Sequence, residues 1–141
     1  MKSIPEIMMR EHSRFHNLIS EIELKLDKNQ EDSQHLFIKL KWTIEKHFFV
    51  EEKVIFSIYS SNFEENDYLD KLLKEHKDIL FLLGKIDKNF KNSKKLLEEL
   101  KIIINTHAKY EDDFFYPELE ETLSETDKQL IKDRCEKWGT Y

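Results

Sequence analysis

A chain of 141 residues has room for one domain with a single substantial core. Two glycines, two prolines and 37% charged residues exclude turn-rich sandwiches and barrels and favour long, solvent-faced helices. A net charge of −6, mixed along the chain, argues against nucleic acid or an anionic membrane as partner.

The first predicted helix runs from about Pro5 to Leu26, with Ile7, Met8, Phe15, Leu18, Ile19, Ile22 and Leu26 at helical spacing. Pro5 suits a first helical turn, and Ser3 can cap it. The N-terminal stretch, MKSIPEIMMREH, is too polar for a signal peptide. Asp27 to Gln30 breaks the pattern, and a second helix follows from about Asp32 to Ser60. A third covers about Glu64 to Phe90, with Gly84 inside it, where close packing is one reason for the lost helix propensity. A fourth runs from about Ser93 to Glu121. Ser124 to Asp127 then reads as the cap of a short fifth helix reaching about Trp138, with Gly139 as its stop. Leu130, Ile131, Cys135 and Trp138 would lay it on the others. Short connections between long helices predict an all-α, up-down-up-down four-helix bundle over about residues 4–122, closed by the fifth helix, in one domain.

No run approaches the ~20 apolar residues of a membrane span. Cys135 is the single cysteine, so no intramolecular disulfide forms and a reducing, cytoplasmic setting is expected.

The second and fourth helices repeat one another. IEKHFFVEEKVIFSIY from Ile44 matches INTHAKYEDDFFYPEL from Ile104 at an offset of sixty, pairing His47 with His107, Glu51 with Glu111 and Glu52 with Asp112. The first and third align at sixty-four, pairing Glu11-His12 with Glu75-His76. The chain is therefore two copies of one helical hairpin. A helix turns ~100° per residue, so positions i and i+4 differ by only ~40° and share a face. Each His-x-x-x-Glu, at His47/Glu51 and His107/Glu111, thus aims an imidazole and a carboxylate at one spot. That donor set suits iron, manganese or zinc, and two carboxylates among histidines from four helices predict a dinuclear site. His35 lies away from this level and is expected on the surface. Glu11, Glu52 and Glu75 are expected to be solvated, with the option that one orients an imidazole. Phe48, Phe49, Phe56, Phe114, Phe115 and Tyr116 read as core that keeps the site dry.

The strings HFFVEEKVIF and HAKYEDDFFYPEL, preceded by MREHSRFH and KEHKDIL, resemble the hemerythrin or HHE cation-binding domain from about Ile4 to Thr122. The resemblance implies two iron ions (Fe2+/Fe3+) with an oxo or hydroxo bridge. By position, His12, His47, His76 and His107 would be terminal ligands, and Glu51 and Glu111 would bridge. Oxygen carriers have a second histidine four residues after the third-helix ligand, and here that residue is Leu80. His16 occupies the matching place in the first helix, so it either supplies a fifth imidazole or stays outside a four-histidine site. The carriers also place their last carboxylate five residues after the fourth-helix histidine, at Asp112 here. That position lies ~140° round a regular helix from His107 and needs a bulge. The repeat favours Glu111, with Asp112 as the alternative.

Such a ligand set leaves a coordination position open, and no substrate cleft or nucleophile is readable. The expected function is binding of dioxygen or nitric oxide for carriage, scavenging or sensing, with a monomer favoured. A di-iron stress-response enzyme, acting in iron–sulfur repair or peroxide removal, is one alternative; a metal-free helical interaction module is another. A ferritin-like oxidase is disfavoured, since no histidine has a glutamate three residues before it.

Overall fold

The computed structural model describes residues 3–62 and 67–137. Among them every regular element is helical and no strand occurs. Helix α1 (Ile4–Leu26) starts where the Ser3 hydroxyl accepts the Glu6 amide, with Pro5 in its first turn. Asn29 performs the same capping for α2 (Gln30–Val50), accepting the Asp32 amide at 3.1 Å, so this helix begins two residues before the predicted Asp32. The buried Ser33 hydroxyl donates to the Ile22 carbonyl at 3.0 Å and ties α2 back onto α1 as a hairpin.

Helix α2 runs on through a π-helical stretch (Glu51–Phe56) into α3 (Ser57–Asn62), two residues past the predicted Ser60. Helix α4 is described over Asp67–Lys88; its predicted start at Glu64 lies outside the described residues. A 3-10 turn (Phe90–Asn92) with Phe90 buried leads to α5 (Lys94–Tyr110). A second π stretch (Glu111–Phe115) joins α5 to α6 (Tyr116–Thr122). Ser124 then accepts the Asp127 amide at 3.1 Å, as its sequence predicts, and α7 (Glu125–Lys137) follows. The predicted end at Trp138 and the Gly139 stop lie outside the described residues.

Helix α1 packs on α2 and α4 on α5, and the two hairpins meet through α1 with α5 and α2 with α4. Their core falls into two apolar clusters. One gathers Phe15, Ile19, Ile22, Phe37, Leu40, Ile44, Leu83, Ile86 and Leu100. The other gathers Met8, Val54, Ile55, Tyr59, Leu72, Phe115 and Leu119, closed by Ile131 and Cys135 of α7. At ~1.5–3 kcal/mol for each large apolar side chain, these clusters hold the helices in place. Between them in sequence along each long helix lies a band of buried histidines and glutamates.

Several expectations are corrected. Leu130 is 37% exposed, because α7 rests on Ile131 and Cys135 instead. Phe49 and Phe114 are exposed rather than core, each being adjacent in sequence to a residue that takes the inward place, Phe48 and Phe115. Close packing does not explain Gly84, since a Cβ there meets nothing within 4 Å. Burial together with the negative charge of Glu51 pushes the Cys135 thiol up to about 12, which leaves it unreactive. No described helix is long and apolar enough to cross a membrane.

A helix-interior glycine with open space around its Cα costs helix propensity and gives no packing in return. Gly84→Ala should therefore stabilise the protein by about 0.5–1 kcal/mol. The check is the denaturant midpoint, which should rise at unchanged slope; an unmoved or lowered midpoint contradicts the reading.

Candidate metal centre

Each long helix contributes one histidine to the buried band: His12 from α1, His47 from α2, His76 from α4 and His107 from α5. Glu51 and Glu111 join them, each fully buried and each the first residue of a π stretch. Widening the helix at these two matched points is the structural form of the sequence repeat. A π turn inserted at the glutamate keeps the His-x-x-x-Glu pair on one face while re-aiming the residues that follow.

The side chains converge on one another. Glu51 Oε1 lies 3.3 Å from His47 Nε2 and 3.2 Å from His76 Nε2. Glu111 Oε1 lies 3.2 Å from both His107 Nε2 and His12 Nε2. Each carboxylate therefore reaches the histidine of its own helix and one from the other hairpin. The Nε2 atoms of His12, His76 and His107, together with Glu51 Oε1 and both Glu111 oxygens, are buried without a hydrogen-bond partner. Ligand atoms of Glu51, His76, His107 and Glu111 lie within 4.8 Å of one another, as do those of His12, His47 and Glu111, so Glu111 is common to both groups. Unpartnered buried polar atoms are costly, at ~1–3 kcal/mol each and more when charged. Six of them, spread over these two adjoining groups, fit bound cations, which would satisfy them.

The outer nitrogens are held as well. His12 Nδ1 meets Asp112 Oδ1 at 3.0 Å, His76 Nδ1 meets Glu52 Oε2 at 2.9 Å, and His107 Nδ1 meets Glu75 Oε1 at 2.7 Å. Such contacts fix the ring and leave Nε2 facing inward, free to serve a cation. Asp112 thus serves His12 from outside while Glu111 points in. Glu52 and Glu75 are not merely solvated as expected, and Glu11 is buried, with Arg14 at 3.2 Å. Burial raises the Glu75 carboxyl, but His107 and Lys71 outweigh it and hold it at about 2.

His16 is the residue the structure does not bring in. It is exposed, in a cleft between α1 and α5, because α1 turns Phe15 inward. The Phe15 ring meets His47 edge-on at 5.0 Å between centroids. The other hairpin does the same, with Ile79 buried and Leu80 turned out. His35 is exposed, as expected.

Aromatic rings close the band. Phe48 lies flat on His76, 3.7 Å between centroids at 9°, and Phe56 stacks at 5.6 Å. Tyr116, the repeat partner of Phe56, donates its hydroxyl to Glu51 Oε2 at 2.5 Å. Tyr116 is buried, as its spacing predicts, while its bond to a residue 65 positions away has no local sequence signal. Burial would raise the Glu51 carboxyl, but His47 and the hydrogen bonds around it hold it well below the usual range.

The chain matches the Hemerythrin HHE cation binding domain family over residues 3–119 and belongs to that family. No curated protein and no solved structure matches it.

Burial lowers His12 and His107, but facing carboxylates win: Asp112 and Glu111 lift His12 to about 9, and Glu111 with Glu75 lifts His107 to about 10. Without metal both imidazoles are charged at neutral pH. Raised folded-state values stabilise fully below the ordinary 6.5, and that contribution is lost as pH rises through about 9 to 10. The metal-free protein should therefore lose thermal stability across this window, and metal uptake at neutral pH should release protons. Melting curves against pH and proton release in weakly buffered titrations check this; metal-free protein that gains stability on going alkaline would contradict it.

Proposed function

We propose that this chain carries a pair of iron ions in an up-down-up-down four-helix bundle and binds a small diatomic there, dioxygen or nitric oxide. The observation that carries the reading is the convergence of four buried imidazole Nε2 atoms on two fully buried carboxylates at 3.2–3.3 Å. His12 and His47, with rings 5.4 Å apart, would hold one ion; His76 and His107, 5.0 Å apart, would hold the other. Glu51 and Glu111 would each span both pairs, since each carboxylate already contacts a histidine from either one. Imidazole and carboxylate donors suit iron, and bound iron supplies an open coordination position and one-electron redox chemistry.

The chain's own contribution is orientation and exclusion of water. Asp112, Glu52 and Glu75 hold three imidazoles by their outer nitrogens. Tyr116 ties down one oxygen of Glu51. Phe15, Phe48 and Phe56 pack against the rings and keep the surroundings apolar. That environment favours an uncharged ligand over one that must shed a hydration shell. Gas binding for carriage, scavenging or sensing needs no further catalytic group.

Iron analysis joined to visible spectra of the reduced protein, with and without air, tests the whole reading. Two irons per chain and a reversible absorption band on aeration are expected; fewer than two metals per chain, or a one-way conversion in air, overturns iron-pair binding or reversible carriage respectively. Glu51→Gln and Glu111→Gln should each lose metal, and His16→Ala should keep two irons. Asp112→Asn should weaken metal affinity by about 10–100-fold while keeping the fold. Loss of iron in His16→Ala at intact helicity would return that histidine to the ligand set.

A further inference from the structure

The two hairpins present matched faces over the buried band, and the faces are not alike. Ala108 of α5 stands at the repeat position of Phe48 in α2, each directly after a helix's histidine. Phe48 covers the His76 ring, and His76 is 1% exposed. Ala108 has no ring to lay over His12, which is 8% exposed and forms part of the wall of an open cleft of about 400 Å3 between α1 and α5. The outer cleft mixes apolar surface with polar and charged side chains, His16, Asn17, Asn105 and Asp112 among them. The matched residues on the other face include Leu80, Phe81 and Glu45.

Behind Ala108 lies a small internal void whose remaining walls are Phe15, Ile44, Phe48, Ile104 and His107. His12 and Ala108 line both this cleft and the void; a second cleft, between α4 and α5, meets the void only at the His107 ring, which Glu75 holds at 2.7 Å. The void touches one histidine from each pair, so a molecule admitted there by movement of a wall would lie against both halves of the site. Its walls are apolar apart from the imidazoles and too close to hold a standing water molecule. Passage therefore needs a small outward movement of a wall, and a methyl group is the wall element with least to move.

We propose that the α1–α5 face is the port through which a small uncharged diatomic reaches the metals, and that Ala108 sets its width. The proposal rests on the metal-binding reading above. It gives His16 a place at the mouth of the port and gives the Phe48/Ala108 difference a consequence: one face of the repeat is sealed by a ring, and the other is left passable. A charged or hydrated ligand would have to strip its water at the Ala108 constriction, so the port selects against it.

The test is made on zinc-loaded protein, which is diamagnetic. Dissolved dioxygen is paramagnetic and speeds relaxation of the nuclei it approaches. Under dioxygen pressure, ring protons of His12 and methyl protons of Ile104 should show several-fold larger enhancements than ring protons of His76. Ala108→Phe should remove that excess and slow nitric oxide association with the diferrous protein by about tenfold or more at unchanged metal content. Because position 108 is half-buried, a second pair of variants at exposed sites guards the conclusion. His16→Trp, at the port mouth, should slow association, and Leu80→Trp, at the matched place on the other face, should leave it unchanged. Equal enhancements at His12 and His76, or equal slowing by the two tryptophans, overturn the one-sided port while leaving the metal site intact. A wild-type chain that takes up neither zinc nor iron overturns the metal reading, and the port with it.

Discussion

Two fully buried glutamates, Glu51 and Glu111, are the constraint on which the rest of the structure depends. Removing an ionised carboxylate from water costs several kcal/mol, and more if it stays unpaired. A core that keeps two must surround them with positive charge, hydrogen-bond donors or metal. The four histidines do this at 3.2–3.3 Å, and each histidine contact crosses from one helix to the next or closes one turn of the same helix. The carboxylates thus dictate which helix faces meet. The apolar clusters on either side then supply the packing that holds four helices around so polar a band.

The π stretches show how the backbone meets that demand. In regular helix, Asp112 would point ~140° away from His107, and only one of two consecutive acidic residues could serve the band. The widened turn beginning at Glu111 lets both be used, Glu111 inward against two Nε2 atoms and Asp112 outward against His12 Nδ1. The stretch beginning at Glu51 repeats the arrangement, with Glu52 on His76 Nδ1. The bulge that Asp112 would have needed to turn inward is present, and with it Asp112 meets His12 Nδ1 from outside.

Duplication does not make the two halves equivalent. Tyr116 donates to Glu51, whereas Phe56 at the matched position can only stack on His76. Glu51 therefore has one oxygen committed to a hydroxyl, while both oxygens of Glu111 remain unpartnered. A ring covers His76 where a methyl group stands beside His12. These few differences between two otherwise similar hairpins give the site a direction, with one carboxylate pinned and one flank more open.

By itself the sequence determined the helices and the donor set. Ser3, Asn29 and Ser124 carry local capping chemistry, and i, i+4 spacing puts His47 with Glu51 and His107 with Glu111 on shared faces whatever the neighbours are. The offsets of sixty and sixty-four pointed to His12 and His76 in the same way. What only the tertiary structure decided was rotation and cross-helix contact. His16 and Phe15 are adjacent on α1, and which one turns inward depends on what α2 presents there, not on their own spacing. Glu52, Glu75 and Asp112 found their partners on other helices, 24, 32 and 100 residues away in the chain, at distances no local pattern encodes. Periodicity fixes a helix's stripe to within about one residue, ~100° of turn, and that is the margin separating the buried band from the surface at His16 and core from solvent at Phe49 and Phe114.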